Sequence, residues 1–178
     1  MAHDMTATRP HRITLRFLAE PIHVNFGGKV HGGAVMKWID QAAYSCAVGW
    51  SGDYCVTQYV GGIHFLRPIH VGELVEMRAQ IIKTGTTSMH IALDVYSGDP
   101  MGTTLQRASH CVIVFVALNH EGRPKEVPKW TPSSAVDVAL EQYAVRLQEF
   151  RKQLDQEMEA RLKWLDEQRP DHLSRVHA

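Results

Sequence analysis

VHGGAVMKWIDQAAYSCAVG, residues 30–49, decides how the rest of the 178-residue chain has to be arranged. The doublet Gly32-Gly33 and the lone Gly49 bracket a helical run that begins at Ala34, because glycine suits helix ends and weakens helix interiors. Inside the run Ala34, Val35, Met36, Trp38, Ile39, Ala42, Ala43, Tyr44, Cys46, Ala47 and Val48 cover nearly the whole circumference. A helix apolar on most sides must be buried on most sides, so other elements have to wrap it.

The flanking sequence supplies the wrapping. Ile13–Leu18 precedes the helix with strand character, and four more such runs follow it: Tyr54–Leu66, Leu74–Ile82, Ser88–Tyr96 and Leu105–Leu118. Arg67-Pro68 with Gly72, the polar turn Lys83 to Ser88, and Ser97-Gly98-Asp99-Pro100 with Gly102 separate them as turn signals. Connections this short imply antiparallel neighbours. One helix followed by a block of strands gives an α+β domain, an antiparallel sheet wrapped around a long central helix.

At Asn119–Pro132 the composition shifts to glycine, proline and charge, which closes that domain. Beyond it Leu140, Tyr143, Leu147, Phe150, Leu154, Met158, Leu162 and Leu165 recur at steps of three or four with charges between them. This predicts a C-terminal amphipathic helix from Ala135 to Gln168, of a length suited to a coiled-coil seam or to packing across a neighbouring subunit. The chain therefore divides into a flexible N-terminus at residues 1–11, a domain at 12–132 and a helical extension at 133–178. There is no internal repeat.

Charge and cysteine content narrow the function. Lys plus Arg is 19 and Asp plus Glu is 19, so no broad field favours nucleic acid or an anionic membrane. Cys46, Cys55 and Cys111 form an odd set without metal or redox spacing and read as buried thiols. The N-terminus has no apolar run of signal-peptide length, and no stretch of roughly eighteen apolar residues spans a bilayer, so the expected location is cytoplasmic. The histidines lack zinc-ligand spacing, and no metal is expected.

Chemistry concentrates around the helix. Asp40 lies within its almost wholly apolar run, where a carboxylate must be paired, hydrogen-bonded or facing a cleft; on periodicity alone, an exposed strip beside Lys37, Gln41 and Ser45 accounts for it equally well. Gly32 and Gly33 let a carbonyl approach unpaired amides at the positive end of the helix dipole, the character of an oxyanion hole. As an isolated motif the pair also serves as a tight turn. His31 invites a general-base role, because histidine as a residue type titrates near neutrality, and Asn25 in its Gly-rich loop reads first as a turn former.

HVNFGGKVHGGAVMKWIDQAA, residues 23–43, and VTQYVGGIHFLRPIHVGELVEMRAQIIKTGTTSM, residues 56–89, together resemble the acyl-CoA hydrolase branch of the hotdog-fold thioesterases, which includes the bacterial YciA-type enzymes. An Asn before a Gly-rich loop, an HGG helix start, an Asp seven residues after the second Gly, an FLRP turn and a GTTS turn occur in the family's order over residues 12–130. The resemblance implies a hotdog fold and hydrolysis of acyl-CoA thioesters. Asp40 is then general base or nucleophile, Gly32 and Gly33 supply oxyanion amides, and Asn25 works opposite the Asp of a partnering unit. The resemblance gives His31 to loop structure and oxyanion-site support.

For the CoA end, Lys83, Thr86, Thr87 and Ser88 offer polar groups near the GTTS turn, and Arg67 adds a phosphate-binding cation. A hairpin turn and a surface arginine describe the same residues without a ligand. Gly62, beside Gly61, allows close approach of a pantetheine arm or marks a β-bulge. The implied partners are acyl-CoA and further copies of the chain, as a dimer and a trimer of dimers, with no cofactor beyond the CoA of the substrate. Two rivals remain, a hydratase or dehydratase on the same fold and a non-catalytic acyl-CoA-binding module.

Overall fold

A computed structural model describes residues 9–168. Residues 1–8 of the expected flexible segment 1–11, and the end of the extension beyond Gln168, lie outside the described residues. Arg9 is tied down, since its guanidinium donates to the carbonyls of Trp50 and Ser51 at 2.7 and 2.6 Å.

The central helix, α1, runs Gly32–Ser51, two residues earlier and two later than Ala34–Gly49. Its start is set by His31, whose Nδ1 accepts the Gly33 amide at 2.9 Å. Its end is set by Gly52, whose φ of 75° is the left-handed value that glycine takes without strain. The strands are β1 (Arg12–Leu18), β2 (Tyr54–Val60), β3 (His64–Phe65), β4 (Leu74–Thr84), β5 (Ser88–Gly98) and β6 (Gln106–Leu118). They form one antiparallel sheet in the order β1-β4-β5-β6-β2, with β3 also paired to β6.

Alternation along the long strands explains the layers. Val75, Met77, Ala79 and Ile81 of β4, with Met89, Ile91, Leu93 and Val95 of β5, point to α1 and meet Val35, Trp38, Ile39, Ala42, Ala43, Cys46 and Ala47 in one core. The alanines let the helix approach the sheet closely. Burial is narrower than the helix's composition suggests: Met36 and Tyr44 are 47% and 36% exposed. One sheet covers one side of a helix, and the strip through Met36, Asp40 and Tyr44 lies beyond its reach.

The expected long strand Tyr54–Leu66 is interrupted. A register shift between Thr57 and Tyr59 sets Thr57 opposite Phe115 and Tyr59 opposite Val114, which sends the two side chains to opposite faces. Gly61 then donates to the Val112 carbonyl at 2.8 Å, and a Cβ at Gly61 would stand 2.7 Å from that oxygen. Bulge and close approach both occur here. In the next hairpin β4 continues to Thr84 and β5 opens at Ser88, so Lys83 and Ser88 are strand residues and the turn itself is residues 85–87.

The second helix, α2, covers Ala135–Gln168 as the periodicity predicts. Ser134 Oγ accepts the Asp137 amide at 3.1 Å, and the Asp137 carboxylate accepts from Ser133 Oγ at 3.0 Å and from Arg12 of β1 at 2.7 Å. The first half of α2 lies on the sheet face opposite α1, where Leu140, Ala144 and Leu147 pack on Ile82, Ala92 and Val112. Lys83 Nζ donates to Gln148 at 2.9 Å and extends this contact. Further on, Phe150, Leu154, Met158 and Leu162 are all more than half exposed. The sheet is thus a middle layer between two helices.

Asp137 is buried, which raises a carboxyl's pKa, yet the Ser134, Ser133 and Arg12 contacts outweigh burial and hold it at about 2. A folded-state pKa below the unfolded value gives stability that is full above the unfolded pKa and is lost as pH falls toward the folded one. Asp137→Ala should cost about 1–3 kcal/mol at neutral pH. The urea-unfolding gap between the two proteins should close as pH drops from about 4 toward 2; a gap independent of pH would place the stabilisation elsewhere.

Candidate active site

Asp40 sits half-buried on the uncovered strip of α1, one turn from Met36 on one side and Tyr44 on the other. Its Oδ1 accepts a 2.6 Å hydrogen bond from Thr57 Oγ1 in the edge strand β2. Thr57 was not singled out by the sequence reading. Cys55 and Thr57 alternate on the inner face of β2, and a hydroxyl at an inward position is the signal that could have found it.

Asn25 lies in the loop before α1. Its Oδ1 accepts the amides of Gly27 and Lys29 at 2.8 and 3.2 Å, closing a turn that also needs Gly28 at φ 73°. The loop is held at its base by the His31 amide, which donates to the His23 carbonyl at 2.7 Å. The His23 ring packs edge-on against Trp38 with centroids 5.0 Å apart. With the side-chain oxygen occupied, the Asn25 NH2 group is left to donate elsewhere. Asn25, Gly32, Phe65 and Arg67 border one groove of about 320 Å³.

The two glycine amides differ. The Gly33 N–H is taken by the His31 ring, whereas the Gly32 N–H finds no acceptor among the described residues. A Cβ on Gly33 would stand 3.0 Å from His31 Nδ1, so glycine is what admits the capping imidazole. Because Nδ1 accepts, the proton of that neutral ring lies on Nε2. His31 is therefore a cap in this geometry.

The remaining predicted residues are scattered. Arg67 donates to the Ser97 carbonyl at 2.6 Å and to Glu73 at 3.0 Å, so its guanidinium already ties a loop to the end of β5. Lys83 is bound to Gln148, as above. Thr87 and Ser88 border a groove shared with Gln58 and Lys152, and Thr86 accepts the Val127 amide on its carbonyl at 2.9 Å. Gly62 opens into a cavity between the sheet and α2, on the face away from Asp40. Among the described residues, no three His, Cys, Asp or Glu side chains converge on a common metal position.

Distance along α1 is the decisive quantity. Eight residues separate Gly32 from Asp40, a rise of about 12 Å at ~1.5 Å per residue. An oxyanion donor and a base must both lie within roughly 3 Å of the reacting group. The Gly32 amide and the Asp40 carboxylate of one chain cannot meet that condition. Asn25 and Gly32 share a groove, while Asp40 and Thr57 face an open surface beside an unpaired sheet edge.

The sequence profile of the thioesterase superfamily matches residues 27–104. The YciA acyl-CoA thioester hydrolase of Salmonella typhimurium is 32% identical over 128 residues, covering 70% of this chain and 96% of its own. An acyl-CoA hydrolase from Staphylococcus aureus, solved with butyryl-CoA and CoA, superimposes with a TM-score of 0.80 at 27% identity, over 87% of this chain and 94% of its own. That enzyme has also been solved with an Asn, an Asp and a Thr separately replaced by alanine. Those three are spaced fifteen and seventeen residues apart, as Asn25, Asp40 and Thr57 are here. A hexameric thioesterase from Yersinia pestis is 34% identical, with a TM-score of 0.62 over 65% of this chain and 94% of its own.

The capping role of His31 can be measured directly. His31→Ala should lower stability by about 1 kcal/mol and His31→Asn should recover most of it, because asparagine caps as well. Equal melting temperatures for wild type and His31→Ala would rule that role out.

Proposed function

We propose that this chain, which belongs to the acyl-CoA thioester hydrolases of the thioesterase superfamily, hydrolyses acyl-CoA thioesters at sites shared between two subunits. One subunit contributes Asn25 and the start of α1, and its partner contributes Asp40 held by Thr57. The observation that carries this reading is the ~12 Å of helix between Gly32 and Asp40, which no single chain can close around one carbonyl.

The thioester carbonyl oxygen enters the Asn25 groove and accepts from the Gly32 N–H and the Asn25 amide. Both donors, with the helix dipole behind Gly32, stabilise the negative charge that develops there; removing one such donor typically costs about 10²- to 10³-fold in rate. Asp40 acts on the opposite side of the carbonyl carbon. As a base it takes a proton from water while the oxygen attacks, the tetrahedral intermediate collapses, the C–S bond breaks and CoA leaves as the thiol. As a nucleophile it attacks the carbonyl carbon and expels CoA as the thiolate, leaving an anhydride that water then opens to the free acid. Label found in Asp40 after a single turnover in 18O-water establishes the nucleophilic route, since only water attacking the Asp40 carboxyl carbon of an anhydride puts it there. The Thr57 hydroxyl sets the carboxylate rotamer in either case.

The CoA end runs toward Thr86, Thr87 and Ser88 at the β4–β5 turn. In this reading Lys83 and Arg67 shape the neighbouring surfaces from their bonded positions, Gly33 and His31 keep the helix start open, and Gly62 lies apart from the acyl path. The chemistry calls on no cofactor besides the CoA of its substrate. Residues 12–132 form the thioesterase domain and residues 133–178 its helical extension. The assembly is a trimer of such dimers, a reading supported by the hexameric Yersinia pestis relative. We place the enzyme in the cytoplasm, where three buried cysteines stay reduced.

Free-thiol release from acetyl-, hexanoyl- and palmitoyl-CoA tests the reaction. Asp40→Asn should lose at least about 10²-fold in kcat with its oligomer intact, and Thr57→Val about tenfold. Turnover by the folded Asp40→Asn protein at the wild-type rate would remove Asp40 from the mechanism. Mixing inactive Asp40→Ala with inactive Asn25→Ala under subunit exchange should restore activity, because some interfaces then pair an intact Asn25 with an intact Asp40. No recovery despite proven exchange would place both residues in sites of one chain.

A further inference from the structure

The sheet face away from Asp40 carries a second cavity that the hydrolysis leaves unexplained. It has a volume of about 340 Å³, within the range of small-molecule sites, and is roofed by α2. Its walls are chiefly apolar, with Val112 and Val114 of β6 below and Leu147 and Leu154 of α2 above. Two features set it apart from a packing defect. His90 of β5 is only 6% exposed, lines the cavity, and makes no side-chain hydrogen bond to any described residue, so its ring nitrogens are free to meet a ligand in the cavity. Arg151 stands at the wall with its guanidinium 4.1 Å from the centre of the Tyr59 ring, and among the described residues only Asp155, at 3.3 Å, pairs with it.

We propose that this cavity binds a single-chain aliphatic carboxylate, its chain along Val112, Val114 and Leu147 and its head between His90 and Arg151. Charge complementarity selects the anion. Burial first, then the nearby charges of Lys83 and Arg151, hold the His90 imidazole down at about 4, so His90 is neutral at pH 7; His64 and His110 also line the cavity, and Asp94 is bonded to His110 at 2.8 Å. A neutral imidazole donates one hydrogen bond to a carboxylate, and Arg151 supplies the charge-assisted one. The apolar walls exclude a small inorganic anion as the fitted occupant, since its hydration would be lost against Val112 and Leu147 without return. Such a carboxylate is also the class of product that thioester hydrolysis releases. That link rests on the proposed reaction; the binding itself does not.

The site stands apart from the catalytic groups by the alternation of β2. Thr57 turns inward to Asp40, and the bulge after it turns Tyr59 outward to Arg151. A ligand beneath α2 would touch the sheet and α2 together and so hold the first half of that helix in place.

Calorimetric titration of the whole oligomer with octanoate tests this, with octanol and CoA as the other arms. Saturable binding at one octanoate per chain, at least tenfold tighter than octanol, and weakened at least tenfold by Arg151→Gln is the expected result. Leu154→Asp changes an exposed residue at the wall and should weaken octanoate likewise without risk to the core. Absence of saturable binding, equal affinity for octanol, or indifference to both substitutions would overturn the proposal. Displacement of octanoate by CoA would also overturn it, because the cavity would then be part of the acyl-CoA site. Thiol release, measured separately, decides the hydrolysis reading whichever way these titrations fall.

Discussion

The rise of an α-helix sets the terms for this molecule. With Gly32 at the first turn of α1 and Asp40 two turns on, the proposed oxyanion donor and the proposed catalytic carboxylate are separated by the backbone that carries them. Bending α1 would not cure this, because its inner side is packed against β4 and β5 and has no slack. The separation instead makes sense of features that look like flaws in an isolated chain. β2 is an unpaired edge, Met36 and Tyr44 are apolar and uncovered, and Asp40 lies between them. An edge strand left bare invites pairing, and the proposed shared site would make use of it.

The sheet is used on both faces, and β2 shows how one strand serves two purposes. Up to Thr57 its alternation points inward, where Cys55 joins the core and Thr57 meets Asp40. One residue of bulge reverses the sense, so Tyr59 turns to α2 and receives Arg151. Glycine at position 61 then brings the strand against the β6 backbone. The extension is part of this architecture. The Staphylococcus aureus enzyme matches 87% of the chain, more than residues 12–132 make up, so the likeness takes in part of α2.

The sequence read well where one rule dominated. Periodicity placed α2 and its start, and placed the long strands to within a few positions, since period-2 alternation and the 3.6-residue stripe are properties of the chain itself. It overstated the burial of α1, because composition around a helix says that a surface will be covered and leaves open by which chain. At the site, Asp40 and Asn25 were legible as polar residues in apolar or glycine-rich settings. Thr57 was not, because its meaning depends on a tertiary contact across seventeen residues. Arg67 looked like a free cation, since nothing in its neighbourhood along the chain announces Ser97 as its partner. The Gly32-Gly33 pair read as two equal donors, and the difference between them arises from the His31 rotamer alone.

Under the proposed shared site, assembly and catalysis become one physical event. Alone, Asp40 is half-exposed beside one hydroxyl, and water competes for every contact it makes. A partner seated over Met36 and Tyr44 removes apolar surface from water, which favours association. It also excludes solvent from the space around the carboxylate, where hydrogen bonds to a developing charge are stronger than in water. The same cover forms the walls along which an acyl chain must lie. On that proposal chain-length preference would be set by how Met36 and Tyr44 meet the opposite subunit, which is why no motif in a single sequence announces it.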